Sequence, residues 1–197
     1  MTNEISVANP QLAALYQDTT FTDVVIKCKD GKELKAHKVV LSISTPYFKA
    51  LFSGNWAETC DGCITANTSQ SVMKKFLQYL YTGKTYTILK NRHASCLSLW
   101  ELGIYYHVPR LTATMEDACI ERTTPDNVIN LLVVVAKFPN HKSLKKKCYK
   151  FIKTHTAELL GNPDIIRFAE ENPEIWAAVR KTIDPRRTLK RKRNNVI

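Results

Sequence analysis

Cys60 and Cys63 are separated by Asp-Gly, the spacing of a zinc knuckle or of a redox-active thiol pair. Zinc in such a site normally takes four ligands, with a second pair close by. No second pair follows, and the nearest histidines, His37 and His93, have no ligand-like spacing to the first. A cysteine nucleophile needs a base held beside it to form the thiolate. None of the pairings among six cysteines and five histidines is marked by its neighbours. His37 lies between a strand pattern and a helix pattern and reads as a hydrogen-bonded structural histidine. Only six glycines are present, and none forms a phosphate-cradling loop. The expectation is therefore no catalytic residue, no metal site and no cofactor: a chain that works by binding.

Charge points to what it binds. Lys and Arg number 29 against 18 Asp and Glu, a formal net charge of +11. The acidic residues are scattered, whereas the basic ones concentrate in 142–153 and 181–193. The second cluster, with Arg186, Arg187, Lys190, Arg191, Lys192 and Arg193, has little apolar content and reads as a solvated tail. Exposed extended positive charge is all a nuclear-import signal requires, and that is the expected role. Nucleic acid is not expected as a partner except through this tail, where the same charge would give salt-dependent, sequence-independent contact. No aromatic residues interleave it to stack on single-stranded bases. In 142–153 the apolar positions Leu144, Cys148, Phe151 and Ile152 leave the lysines pointing outward, as on a solvated helix face.

No stretch reaches the roughly 18 apolar residues of a membrane-spanning helix; the longest, Val128 to Ala136, is interrupted by Asn130. The start, Met1-Thr-Asn-Glu, lacks the basic and apolar regions of a signal peptide. Nucleus and cytoplasm are the expected compartments. Five of the six cysteines lie in or next to apolar segments, so reduced thiols are expected rather than disulfides.

The elements that must present these groups follow from periodicity. Pro10 to Gln17 is a short amphipathic helix with Leu12 and Leu15 on one side. Thr22 to Lys29 alternates Val24, Ile26 and Cys28 against Val25 and Lys27, Asp30-Gly31 turns the chain, and Lys32 to Ala36 returns as a second strand. Lys38 to Ile43 and Pro46 to Phe52 are short helices, the second capped by Thr45 with Pro46 in its first turn. A loop over 54–62 leads to a brief strand, Ile64 to Asn67. A helix then opens at Ser69 or Ser71, turns Val72, Phe76, Leu77 and Leu80 inward and stops at Gly83. Thr85 to Ile88 is a further short strand. Helices follow over Asn91 to His107 and from Pro109 to about Arg122. Beyond the turn at Thr123-Thr-Pro-Asp the pattern is all helix: Val128 to Lys137, Lys142 to Thr156, Asp164 to Glu171 and Glu174 to Thr182. This is an α+β first part followed by a helical one, with expected boundaries 1–122, 123–183 and a tail 184–197.

Four phrases carry a resemblance. Phe21-Thr-Asp-Val-Val-Ile, Lys35-Ala-His-Lys-Val-Val-Leu, Ser44-Thr-Pro-Tyr-Phe-Lys-Ala-Leu-Phe and Phe76-Leu-Gln-Tyr-Leu-Tyr-Thr-Gly, in this order and spacing, resemble a BTB/POZ domain over about Leu12 to Glu121. The helices from Pro125 to Thr156 look like the start of a BACK-type extension, similar to that of speckle-type POZ proteins. The resemblance implies a short β-sheet flanked by helical hairpins, homodimerisation, and service as the adaptor of a cullin-RING ubiquitin ligase. It implies dimer contacts at Leu12, Leu15 and Val40, and a charged pair, Asp23 with Lys38, near that interface. Cullin-binding members carry a hydrophobic residue, any residue, then Glu after the second short helix; here Trp56-Ala57-Glu58 stands four residues beyond Phe52, which would join the contact. Adaptors of this kind usually hold a separate client-binding domain. For this chain the open readings are a short form paired with a longer relative, a competitor for cullin, or an adaptor whose client binds the tail or the extension. The rival reading is a cullin-independent BTB scaffold in nuclear transcriptional or chromatin complexes.

Overall fold

The computed structural model describes residues 10–54, 62–85, 93–162 and 164–183. The chain divides between Cys119 and Ile120 into two compact units.

The first unit begins with a one-and-a-half-turn helix, α1 (Pro10–Leu15). Its chain leaves in two tight turns, Tyr16 N–H to the Ala13 carbonyl and Gln17 N–H to that of Ala14, so the helix stops short of the expected Gln17. A helix this short does not persist by itself, and it rests on α4 (Gln70–Thr82) of the same chain. There the Tyr16 hydroxyl donates to the Lys74 carbonyl at 3.0 Å.

Three strands form the sheet: β1 (Val24–Cys28), β2 (Glu33–Ala36) and β3 (Cys63–Ala66), in the order β2-β1-β3. β1 pairs antiparallel with β2, Val24 opposite Ala36, and parallel with β3, Ile26 opposite Ile64. The alternation reads directly as burial, with Val24, Ile26 and Cys28 inward and Lys27 in water. Gly31 closes the hairpin with φ of 73°, a conformation that costs a residue with Cβ. Next come α2 (Lys38–Ser44) and α3 (Pro46–Ser53). Thr45 caps α3 by accepting the Phe48 N–H at 3.1 Å, with Pro46 in the first turn.

α4 is capped from a distance. Asp30, in the hairpin turn, takes the Gln70 N–H on both carboxylate oxygens at 3.2 Å. Its last turn ends at Gly83, φ 65°, whose N–H returns to Tyr79 O at 2.7 Å. Met73, Phe76, Leu77, Tyr79 and Tyr81 are its buried residues, whereas Val72 and Leu80 are only half-buried. The expected inward stripe was too narrow because α4 packs against α1, α2, β2 and α5 (His93–Tyr105) at once. α6 (Pro109–Glu121) follows. α5 and α6 approach so closely at Gly103 that a Cβ there would sit 2.6 Å from Thr112 Oγ1. Trp100, Phe48, Phe76, Ile26 and Leu41 centre the core. The expected strand at 85–88 lies mostly outside the described residues.

The second unit is helical: α7 (Val128–Ala136), α8 (Lys142–Thr154), α9 (Thr156–Leu160), α10 (Asp164–Glu171) and α11 (Pro173–Ile183). α8 packs against α7 and α11, burying Leu144, Cys148 and Ile152. α8 stops at Thr154 instead of running through Thr156. Thr154 Oγ1 donates to the Phe151 carbonyl at 2.8 Å, and His155 Nδ1 lies 3.0 Å from the same oxygen. Side chains competing for helix carbonyls in this way favour a break, and α9 restarts beyond it. Among the described residues no helix is long and apolar enough to cross a membrane.

Candidate functional site

The corner where β2 hands over to α2 is fixed by His37, 6% exposed. Its backbone N–H donates to the Tyr81 hydroxyl at 2.9 Å, its Nδ1 lies 2.9 Å from that same hydroxyl, and its Nε2 lies 3.0 Å from the Thr20 carbonyl. A carbonyl can only accept, so Nε2 carries a proton, and in the neutral ring Nδ1 then accepts from the phenol. One neutral tautomer satisfies every group. Burial pushes the Tyr81 phenol above its ordinary pKa, which keeps it a donor.

Thr20 belongs to a turn held at several points. Its N–H donates to Asp18 Oδ1 at 2.8 Å, and Thr22 Oγ1 donates to the Thr19 carbonyl at 3.0 Å. Between them Phe21 adopts φ of 61°, a left-handed conformation unusual for a bulky residue, and is 89% exposed.

Asp23 and Lys38 meet through backbone. Asp23 Oδ1 accepts the Lys38 N–H at 2.7 Å, capping α2, while the Lys38 ammonium sits 5.8 Å from the centre of the Phe52 ring. The expected side-chain ion pair is replaced by a helix cap and a cation–π contact.

On α2, Val40 is fully buried within the chain, so the expected dimer contact there has no exposed surface behind it. The exposed apolar side chains of that helix are Val39, at 64%, and Ile43, at 49%. Leu12 and Leu15 are half-buried on α1.

α3 and the end of α5 build an aromatic platform. Phe48 and Tyr106 stack 4.9 Å apart in the core, with Phe76 5.0 Å from Tyr106 beneath. Outward, Tyr47 lies 5.5 Å from Tyr105, and Phe52 stacks on Phe48 at 5.9 Å. Tyr105 is well exposed, and Tyr47 and Phe52 are half-exposed. Burial pushes the Tyr106 phenol far up, with Tyr47 beside it adding to the shift. Tyr47 and Tyr105, absent from the expected site residues, are brought together only by the fold.

Trp56, Glu58 and Cys60 fall in 55–61, and the tail arginines and lysines in 184–197, outside the described residues. Cys63 is half-exposed, and the five described cysteines carry free thiols. Among the described residues no cluster of His, Cys, Asp and Glu could hold a metal ion.

The BTB/POZ domain profile matches residues 12–123. The chain belongs to the BTB/POZ family. The match begins in α1 and ends just beyond α6, taking in the His37 corner and the aromatic platform. Relatives extend the likeness into the second unit. Over 165 residues the BTB/POZ chain is 25% identical to TD and POZ domain-containing protein 2 of Mus musculus, covering 83% of this chain and 44% of that one. It is 29% identical over 156 residues to Kelch-like protein 38 of Mus musculus, covering 79% and 26%. It is 31% identical over 140 residues to Inhibitor of Bruton tyrosine kinase of Homo sapiens, covering 70% and 10%. The chain thus spans less than half the length of each of these relatives. BTB/POZ proteins are generally adaptors or scaffolds rather than enzymes.

Proposed function

We propose that this BTB/POZ chain is a homodimeric adaptor that docks a cullin scaffold for protein ubiquitination. The observation that carries the reading is the aromatic platform. Tyr47, Phe52 and Tyr105 offer ring surface to solvent over a rigid base, and the chain leaves α3 directly into the segment bearing Trp56-Ala57-Glu58. Large aromatic anchors in such a patch often dominate an interface, at ~2 kcal/mol or more. The dimer face in this reading centres on Val39, Ile43 and Phe21, exposed apolar side chains on or near the α2 corner. The basic tail serves nuclear import.

Calorimetry of the full chain against a cullin N-terminal domain tests the adaptor reading, beside a Trp56→Ala, Glu58→Ala double variant. Sub-micromolar binding that disappears in the variant supports it. A folded dimer that does not bind overturns it and leaves a cullin-independent scaffold as the working reading. Sedimentation of a Val39→Asp, Ile43→Asp variant tests the dimer face, with a folded monomer expected; an unchanged dimer would move the interface elsewhere.

A further inference from the structure

α8 has two unlike sides. Leu144, Cys148 and Ile152 are buried against its neighbours, while Lys142, Lys145, Lys146, Lys150 and Lys153 are all exposed. At 3.6 residues per turn these five lysines occupy an arc of about 140°, and Lys142 and Lys153 stand roughly 16 Å apart along the axis. Residues 142–154 contain no Asp or Glu. Among the described residues none of the five lysines has an acidic side chain within ion-pairing distance, and the ion pair Arg167–Glu171 lies on α10. Like charges at i, i+4 spacing, as at Lys142, Lys146 and Lys150, disfavour the helix. Among the described residues the row is therefore a concentrated positive edge with no ion-pairing partner.

We infer that this outer face of α8 is a docking surface for the phosphate backbone of a nucleic-acid duplex. Charge density selects that occupant. Counting both strands, a duplex presents one negative charge per about 1.7 Å of axis, roughly ten over the length of the row. An extended acidic peptide, at ~3.3 Å per residue, would present about half as many even if wholly acidic. Lysines bind phosphate as compact point charges. An anionic lipid surface would hold this face by charge alone, because the apolar side of α8 is spent inside the unit. Tyr149, half-buried amid the lysines, keeps its phenol protonated because burial raises its pKa, and it can donate to a phosphate oxygen. With no further aromatic side chain on this face, the duplex is held by its backbone and its bases are not read.

The test is fluorescence anisotropy of a short labelled DNA duplex with the full chain, between about 50 and 200 mM salt. Three proteins are compared in a background where Arg186, Arg187, Lys190, Arg191, Lys192 and Arg193 are changed to Gln, so that the tail does not contribute. They are the parent, a variant with Lys142, Lys146, Lys150 and Lys153 changed to Gln, and one with the same four changed to Arg. The Gln variant is expected to bind at least about tenfold more weakly, with a log–log salt slope shallower by about 0.9 for each phosphate no longer neutralised; the Arg variant keeps both. Equal binding by parent and Gln variant, at equal helix content by circular dichroism, overturns the inference. So does displacement of the duplex by polyglutamate at equal charge concentration, which would assign the face to acidic polypeptides.

Discussion

His37 and Tyr81, 44 positions apart, are joined twice: the Tyr81 hydroxyl accepts the backbone N–H of His37 and donates to its ring Nδ1, both at 2.9 Å. One oxygen thus pins the start of α2 to the last turn of α4, and the imidazole passes the restraint on to Thr20. A buried hydroxyl used as donor and acceptor together cannot be removed without leaving two polar groups unsatisfied.

Tyr81→Phe keeps the ring and deletes that oxygen. The cost of leaving buried donors and acceptors without partners is about 1–3 kcal/mol. Urea denaturation should show a loss in that range with an unchanged m-value; a loss near zero would mean that water enters and replaces the hydroxyl.

Asp23 and Lys38 make a second separable case. Because Asp23 grips the Lys38 backbone, Asp23→Ala should cost about 0.5–2 kcal/mol, while Lys38→Gln keeps the accepted N–H and should change stability much less. In a double-mutant cycle the coupling of the two side chains should be small. A coupling above about 1 kcal/mol would restore the ion pair.

Alkaline pH provides a third. The buried Tyr106 phenol has its pKa raised well above the ordinary 10.0 by burial. Above pH 10 the unfolded chain gives up that proton while the folded chain keeps it, so unfolding releases a proton and stability falls as pH rises. Below pH 10 the contribution is fully present. Denaturation midpoints at successive pH values from 8 to 11 should drop above about 10, and Tyr106→Phe should flatten the drop, with the remainder from Tyr81, Tyr16, Tyr149 and Cys28, also raised by burial.

Where sequence and structure agree, the signals are local. Thr45 before Pro46, Gly83 at a helix end, Asp30-Gly31 between strands and the alternation of Val24, Ile26 and Cys28 each act within a few residues. The misses needed knowledge of neighbours. α2 is only seven residues, and Val39, Val40, Leu41 and Ile43 surround it with apolar side chains, so period alone does not say that Val40 faces in and Val39 out. Asp30 caps Gln70 from 40 positions away, and no pattern within α4 announces it. The platform joins Tyr47 to Tyr105 across most of the first unit. The break at His155 was readable in principle, since Thr154, His155 and Thr156 all compete for helix carbonyls, but an unbroken apolar period hid it.

Phe21 holds a large ring in water on a backbone angle that suits glycine. Within the free protomer both features are unfavourable, one through hydration and one through strain of about 1 kcal/mol. The two liabilities share one residue, so a change there to Gly would relax both together. Stability alone would therefore remove the ring, and under the proposed dimer reading only a complex that covers it would miss it.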